Sequence, residues 1–326
     1  MIARIQQIST LALLITLVSG IAFFWLQGSL IFGLAIPGLV LLGYAIFLAV
    51  EFSLSAWLGG GLGADAAGLP RPCCLELVRA WFGEFWRAPV VFCWQQPFRS
   101  GKEPDLLIGG ANGHRGIVLV HGFVCNRGFW NSWMKVLRHR RIPFVAVNLE
   151  PSFGSITMYP RIIDSAARSI EAATGKLPVL VAHSMGGLAV RAWLADCRTA
   201  RAHRVITIGT PHRGTWLARF GRTMNLVEMR PSSDWMMALE RNERGVDGSF
   251  FTCFYSNCDN IVFPTLSATL PGADNRHLSA TAHVQMAQHP GVMSEVLKWV
   301  VPVPEPVDAE PGQFGAVGSR DGQLRR

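Results

Sequence analysis

Charged side chains are missing from the chain between Arg4 and Glu51, and the apolar pattern there is broken only at Gln27-Gly28-Ser29. The two runs on either side, 8–26 and 30–50, each match the roughly 20 residues a helix needs to cross a bilayer core. They predict two transmembrane helices joined by a very tight turn. Pro37 in the second run is tolerable there, because neighbouring groups can satisfy the freed backbone carbonyl. A cleaved signal peptide with 9–27 as its apolar core is the alternative. The thin basic start, the long run and the second run at once behind it argue against that alternative.

The pattern changes after the hairpin, which is placed at 1–57. Residues 58–72, LGGGLGADAAGLPRP, read as a flexible Gly/Ala/Pro linker. In 74–86 apolar residues fall at Leu75, Val78, Phe82 and Phe85, a helical spacing. With Trp81 and Trp86 this segment suits either the membrane interface or packing on the domain that follows. From Gly116 strands and helices alternate. Strands are expected at 116–120, 143–149, 177–182, 204–208 and 250–255, and helices at 129–138, 159–173, 185–196 and 291–301. Short β-branched runs separated by helices imply a mostly parallel sheet covered on both faces, an α/β domain over 73–301.

Residues 212–248 break the alternation. They carry Trp216, Met224, Met229, Trp235, Met236 and Met237. Met and Trp suit contact with flexible apolar chains, so this insertion reads either as a lid or as a helical cap packed on the core. Beyond 301, Pro, Gly and charge dominate, and 302–326 is expected to be a disordered tail.

Composition adds direction. Half of the 326 residues are hydrophobic and 16% are charged, below the quarter typical of soluble domains. Thirty basic residues against 22 acidic ones give a net charge of +8, which fits a basic surface near anionic lipid. No nucleic-acid motif accompanies it. A hairpin leaves both flanks on one side, and Arg4, Arg71, Arg79 and Arg87 lie on those flanks. Positive residues stay cytoplasmic, so the domain is expected on the cytoplasmic side of an inner membrane. The seven cysteines are odd in number, with Cys73 next to Cys74, and form no disulfide framework. No C-x-x-C pair suggests zinc.

The stretch LPVLVAHSMGGLAV, 177–190, reads as a strand, a sharp turn at Ser184 and a helix. A serine hydroxyl needs a base and exposure at a cleft to act as a nucleophile. A strand–Ser–helix elbow lifts Oγ above the C-terminal edge of the sheet. Small residues are expected two before and two after the serine; here they are Ala182 and Gly186. The Met185 N–H at the helix start can hold developing negative charge. A second donor, the Phe123 N–H, is expected from the loop after the first strand.

The acid and the base follow in the order Ser, Asp or Glu, His. Asp259 sits just past the fifth strand, where a triad acid belongs, ahead of Asp234 and Asp247 inside the insertion. His283 lies on the loop before the last helix, ahead of His277 in an expected surface loop and His289 at a helix start. His183 and His121 are assigned to packing and to backbone bonding near the oxyanion loop. Arg213 is assigned to a surface or bracing ion pair rather than to substrate.

Five blocks in order, LVHGF (119–123), VAHSMGGLAVRAWL (181–194), TIGTPHRGTWLA (207–218), YSNCDNIVFP (255–264) and AHVQM (282–286), resemble the α/β-hydrolase superfamily, and within it bacterial triacylglycerol lipases and esterases. The resemblance spans more than half the chain. It implies Ser184 as nucleophile, Asp259 as acid, His283 as base, Phe123 and Met185 as oxyanion donors, and no cofactor or metal. Two features depart from the pattern: Ala182 stands where glycine is commoner, and the hairpin precedes the domain. The expected function is a membrane-anchored serine hydrolase acting on lipid-like acyl esters. The rivals are a thioesterase or acyltransferase on the same triad, and a membrane scaffold with a silent hydrolase domain. Nothing in the sequence sets the oligomeric state.

Overall fold

Alternate residues of each central strand are buried on opposite faces. In β1 (Ile117–Val120), Val118 and Val120 join one core cluster, and Ile117 and Leu119 the other. In β3 (Val179–His183), Leu180 and Ala182 divide from Val179 and Val181 in the same way. A strand apolar on both sides must be covered on both sides, which a parallel sheet with crossover helices achieves. The computed structural model, which describes residues 1–61, 68–109, 113–196, 201–243 and 247–301, has that architecture. With β2 (Phe144–Ala146), β4 (Arg204–Ile208), β5 (Phe251–Tyr255) and β6 (Asp274–His277), the strands form one parallel sheet in the order β2-β1-β3-β4-β5-β6.

Two N-terminal helices, α1 (Ile2–Leu26) and α2 (Leu30–Gly61), are long and apolar enough to cross a membrane. A single helical rod follows. It comprises α3 (Cys74–Pro89), a π-helical turn over Val90–Gln95, and α4 (Gln96–Arg99). In the domain, α5 (Asn131–His139) and α11 (Pro290–Val300) cover one face of the sheet through Trp133, Met134, Val292 and Val296. On the other face lie α6 (Pro160–Thr174) and α7 (Met185–Asp196), through Ile163, Ile170, Leu188 and Trp193.

Several boundaries differ from expectation. Helix α2 runs past Val50 to Gly61, so 58–61 of the expected linker are helical. Glu51 reads as the charged end of a span, yet it turns inward and accepts from Asn260 Nδ2 at 2.9 Å. Residues 62–67 of the linker and the expected tail 302–326 lie outside the described residues. The strand expected over 143–149 shortens to β2. Strand β6 was not anticipated: its sequence, DNRH, is polar because it is the exposed edge of the sheet.

The insertion forms α8 (Met224–Glu228) and α9 (Asp234–Asn242). Its Met229, Met236 and Leu239 are buried in the core on the α7 side. Arg191 of α7, itself buried, grips Glu243 behind α9 through two hydrogen bonds of 2.9 and 2.5 Å. Remaining short helix α10 (His283–Met286) carries the last sequence-predicted site residue.

Candidate active site

Strand β3 runs straight into α7, and Ser184 makes the turn between them at φ +54°. That left-handed conformation is uncommon outside glycine and marks a strained turn. It is fixed on one side by the Ser184 N–H, which donates to Ile208 O at 2.9 Å, and on the other by the helical bond from Gly187 N to Ser184 O at 3.0 Å. The elbow must be small because of β1. A Cβ on Gly186 would meet the His121 and Val120 carbonyl oxygens at 2.6 and 2.7 Å. Gly186 is crowded by the end of β1, and Ala182 is buried in register with Val120 of the same strand.

Gly122 has the matching role across the site. A Cβ there would lie 2.8 Å from Ser184 Cβ, so only glycine lets the loop after β1 approach the serine. Among the described residues, the backbone N–H groups of Phe123 and Met185 have no hydrogen-bond partner. An oxyanion donor must be free in this way. His121 holds the loop: Nδ1 bonds Gly122 O at 2.9 Å, and Nε2 accepts from Leu149 N at 3.0 Å. Burial lowers its pKa to about 4, so it stays neutral.

On the opposite side, Asp259 and His283 meet. Asp259 Oδ2 lies 2.9 Å from His283 Nδ1, and Oδ1 accepts from Ile261 N and Val262 N at 2.8 Å each. Asp259 is therefore held by its own loop, and His283 is left with Nε2 for a second partner. Burial pulls the imidazole pKa down. The charge and hydrogen bond of Asp259, helped by Glu84, outweigh that pull and set it above its ordinary 6.5. Ser184 and His283 line the same cavity. No hydrogen bond joins Ser184 Oγ to the imidazole among the described residues, and such bonds often tighten only when substrate is present.

That cavity, of about 330 Å³, is walled by Tyr44, Phe47 and Leu48 of α2, Ala88 of α3, Phe92 of the π turn, and Phe123. None of its lining residues comes from 212–248. The elements over Ser184 are the N-terminal helices, and the insertion lies against the core.

The same helices brace the loops of Asp259 and His283, which sequence reasoning did not anticipate. Ser55 Oγ of α2 donates to Asp259 O at 2.5 Å. Glu51 accepts from Asn260, whose Oδ1 in turn accepts from His283 N at 3.3 Å. The Glu84 carboxylate of α3 accepts from Val284 N and Gln285 N at 3.1 and 3.2 Å. Glu84 is fully buried, and burial raises its pKa to about 7 against the pull of those two N–H groups. His183 is buried and neutral, its pKa driven well down by burial and then by His283 beside it. Its Nε2 lies 3.1 Å from His283 O. Gly209, φ +56°, was also missed: a Cβ there would press on His283 Nδ1 at 3.1 Å and Asp259 Oδ2 at 3.2 Å. A glycine directly after β4 was the available signal.

The rival residues lie elsewhere. His277 is in β6 against Tyr255, and His289 caps α11 by accepting from Gly291 N. Asp247 bonds Ser249, Asp234 opens α9, and Arg213 is exposed.

Among solved structures, a lipase of Bacillus licheniformis in its mature form is 17% identical. The match covers 58% of this chain and 92% of that one at a TM-score of 0.50. Lipase B of Aspergillus fumigatus is 24% identical over 52% of this chain and 46% of that one (TM-score 0.45). A monoacylglycerol lipase of Paleococcus ferrophilus is 16% identical over 59% and 97% (TM-score 0.43). No curated protein matches the chain. The parallel sheet and the elbow between β3 and α7 agree with the family model that matches residues 117–308, and the chain belongs to the alpha/beta hydrolase family.

Proposed function

We propose that this protein is a membrane-anchored serine hydrolase that cleaves carboxylic esters with lipid-like acyl groups. The observation that carries the reading is the meeting of Ser184 with the Asp259–His283 pair at an apolar cavity. His283 Nε2 takes the Ser184 proton as Oγ attacks the ester carbonyl. Asp259 keeps the imidazole in the required tautomer and stabilises the imidazolium. The tetrahedral oxyanion rests on the Phe123 and Met185 N–H groups. His283 returns its proton to the leaving alcohol, then activates water to release the acid from the acyl-enzyme. None of these steps asks for a cofactor or metal.

Fluorophosphonate labelling of the full chain tests this. Labelling is expected in the native chain and none in Ser184→Ala; retained labelling in that variant sinks the assignment. Hydrolysis of esters from short to long acyl chains, with Ser184→Ala as control, is expected to favour the longer ones. The arginines flanking the hairpin favour a cytoplasmic domain. A reporter active only in the periplasm, fused after Val301, is expected to stay silent, and activity there would reverse the topology.

A further inference from the structure

Helix α3 is apolar on two faces: Leu77, Ala80 and Trp81 pack against α2 and the domain, and a second apolar stripe faces outward. Of its charged residues Glu84 is 2% exposed, whereas Phe82 and Trp86 are 55% and 70% exposed. Leu75, Val78, Phe82 and Trp86 follow one helical stripe, and Trp94 and Phe98 continue the exposed apolar surface along the rod. In a water-facing helix these residues would point inward and Glu84 outward. A contiguous exposed patch of this kind marks a contact surface.

The patch adjoins the membrane hairpin. The Trp81 indole N–H donates to Ala45 O of α2 at 3.1 Å, and the Phe85 ring lies 5.2 Å from Tyr44. Arg79 is exposed and Arg87 half-buried on the same helix. Such side chains lay their stems on apolar surface and reach lipid phosphates with their heads. The cavity at Ser184 lies between these two elements. Phe47 lines it from α2 while staying 58% exposed, so the α2 edge of the cavity is open.

We infer that the exposed stripe of α3 and α4 is a third lipid-contacting surface. The Ser184 cavity then opens toward the bilayer, and the ester substrate enters sideways from the lipid rather than from water. The inference rests on reading α1 and α2 as membrane spans and Ser184 as the nucleophile. It goes further in naming the substrate class, a bilayer-resident acyl lipid, and the surface that delivers it.

Two measurements on the full chain in phosphatidylcholine vesicles test it. In the first, Cys73, Cys74, Cys93 and Cys197 are replaced by Ser and an environment-sensitive fluorophore is placed at Phe82→Cys or Arg241→Cys. Doxyl-labelled lipid is expected to quench the probe at 82 and spare it at 241. Equal, water-like emission at both sites overturns the inference, and so does chain-to-chain crosslinking at 82 without quenching, which would mean a second copy covers the stripe. In the second, Leu75→Ser/Phe82→Ser/Trp86→Ser is compared with the native chain on two esters. Hydrolysis of vesicle-borne diacylglycerol is expected to fall about tenfold, with a soluble p-nitrophenyl butyrate changed less than about twofold. Equal change on both esters overturns the lateral route. A native chain that cleaves neither ester while position 82 is quenched breaks the hydrolase reading and leaves the lipid contact standing.

Discussion

Ser184 and the Asp259–His283 pair are held in place by different means. Around Ser184 the supports are local in the fold: the strand before it, the helix after it, and the adjacent ends of β1 and β4. Around Asp259 and His283, several supports come from the far end of the chain. Ser55 is 204 positions from Asp259, Glu51 is 209 from Asn260, and Glu84 is 200 from Val284. Ser184 belongs to the sheet. Asp259 and His283 belong jointly to the sheet and to the N-terminal helices. A compact turn can encode its own geometry, whereas loops at a sheet edge take theirs from whatever packs on them.

The largest expected effect probes the pair itself. Asp259→Asn is expected to lower kcat by about 10⁴-fold by misorienting His283, with near-UV circular dichroism unchanged. Stopped-flow or steady-state ester hydrolysis reads this directly. Next comes the remote support. Glu84→Ala leaves the buried Val284 N–H and the half-buried Gln285 N–H without their partner, at roughly 1–3 kcal/mol for the buried group. That corresponds to a loss of about tenfold to a hundredfold in kcat if it falls on the transition state. Full activity in both Glu84→Ala and Ser55→Ala would collapse the contrast, because the Asp259–His283 pair would then stand unaided.

The elbow gives a smaller effect. Ala182 is buried between β1 and β4. Ala182→Val is expected to destabilise the fold by about 1–3 kcal/mol through overpacking, seen as a lower Tm. Ala182→Gly should keep the native kcat. A Val variant as stable as the native chain would show that the turn has slack.

The smallest effect is on pH. In the proposed mechanism His283 must be neutral to accept the Ser184 proton, and Asp259 beside it holds its pKa above the ordinary 6.5. Activity should therefore rise with pH along a limb centred above 6.5. Glu84→Gln removes a carboxylate that favours the imidazolium, so the limb should move down by less than about one pH unit. A limb that stays put would mean that Glu84 acts on backbone geometry alone.

The legibility of the sequence divides along the same line. Strands β1, β3, β4 and β5 are apolar runs that can only be buried, so their pattern announces them. The elbow carries its serine and glycines within a few positions. Strand β6 is polar because its face meets water, and its pattern looks like a loop. Glu51 and Glu84 were opaque for a different reason. A carboxylate in a linear pattern reads as surface, and only the fold reveals that each finds buried donors on a distant loop. The exposed stripe of α3 was visible as a helix, but its facing was open until Glu84 proved to be the inward side.

Helix α2 carries Glu51 and Ser55 on the same rod that spans the apolar run, and this bears on modular exchange. An anchor that only tethers can be swapped for any other hydrophobic segment by gene fusion. Helix α2 also holds the loop of Asp259 and Asn260 and one wall of the cavity at Ser184. Grafting the domain onto a foreign hydrophobic segment, or trimming it to begin after α2, is expected to remove those supports together with the helix.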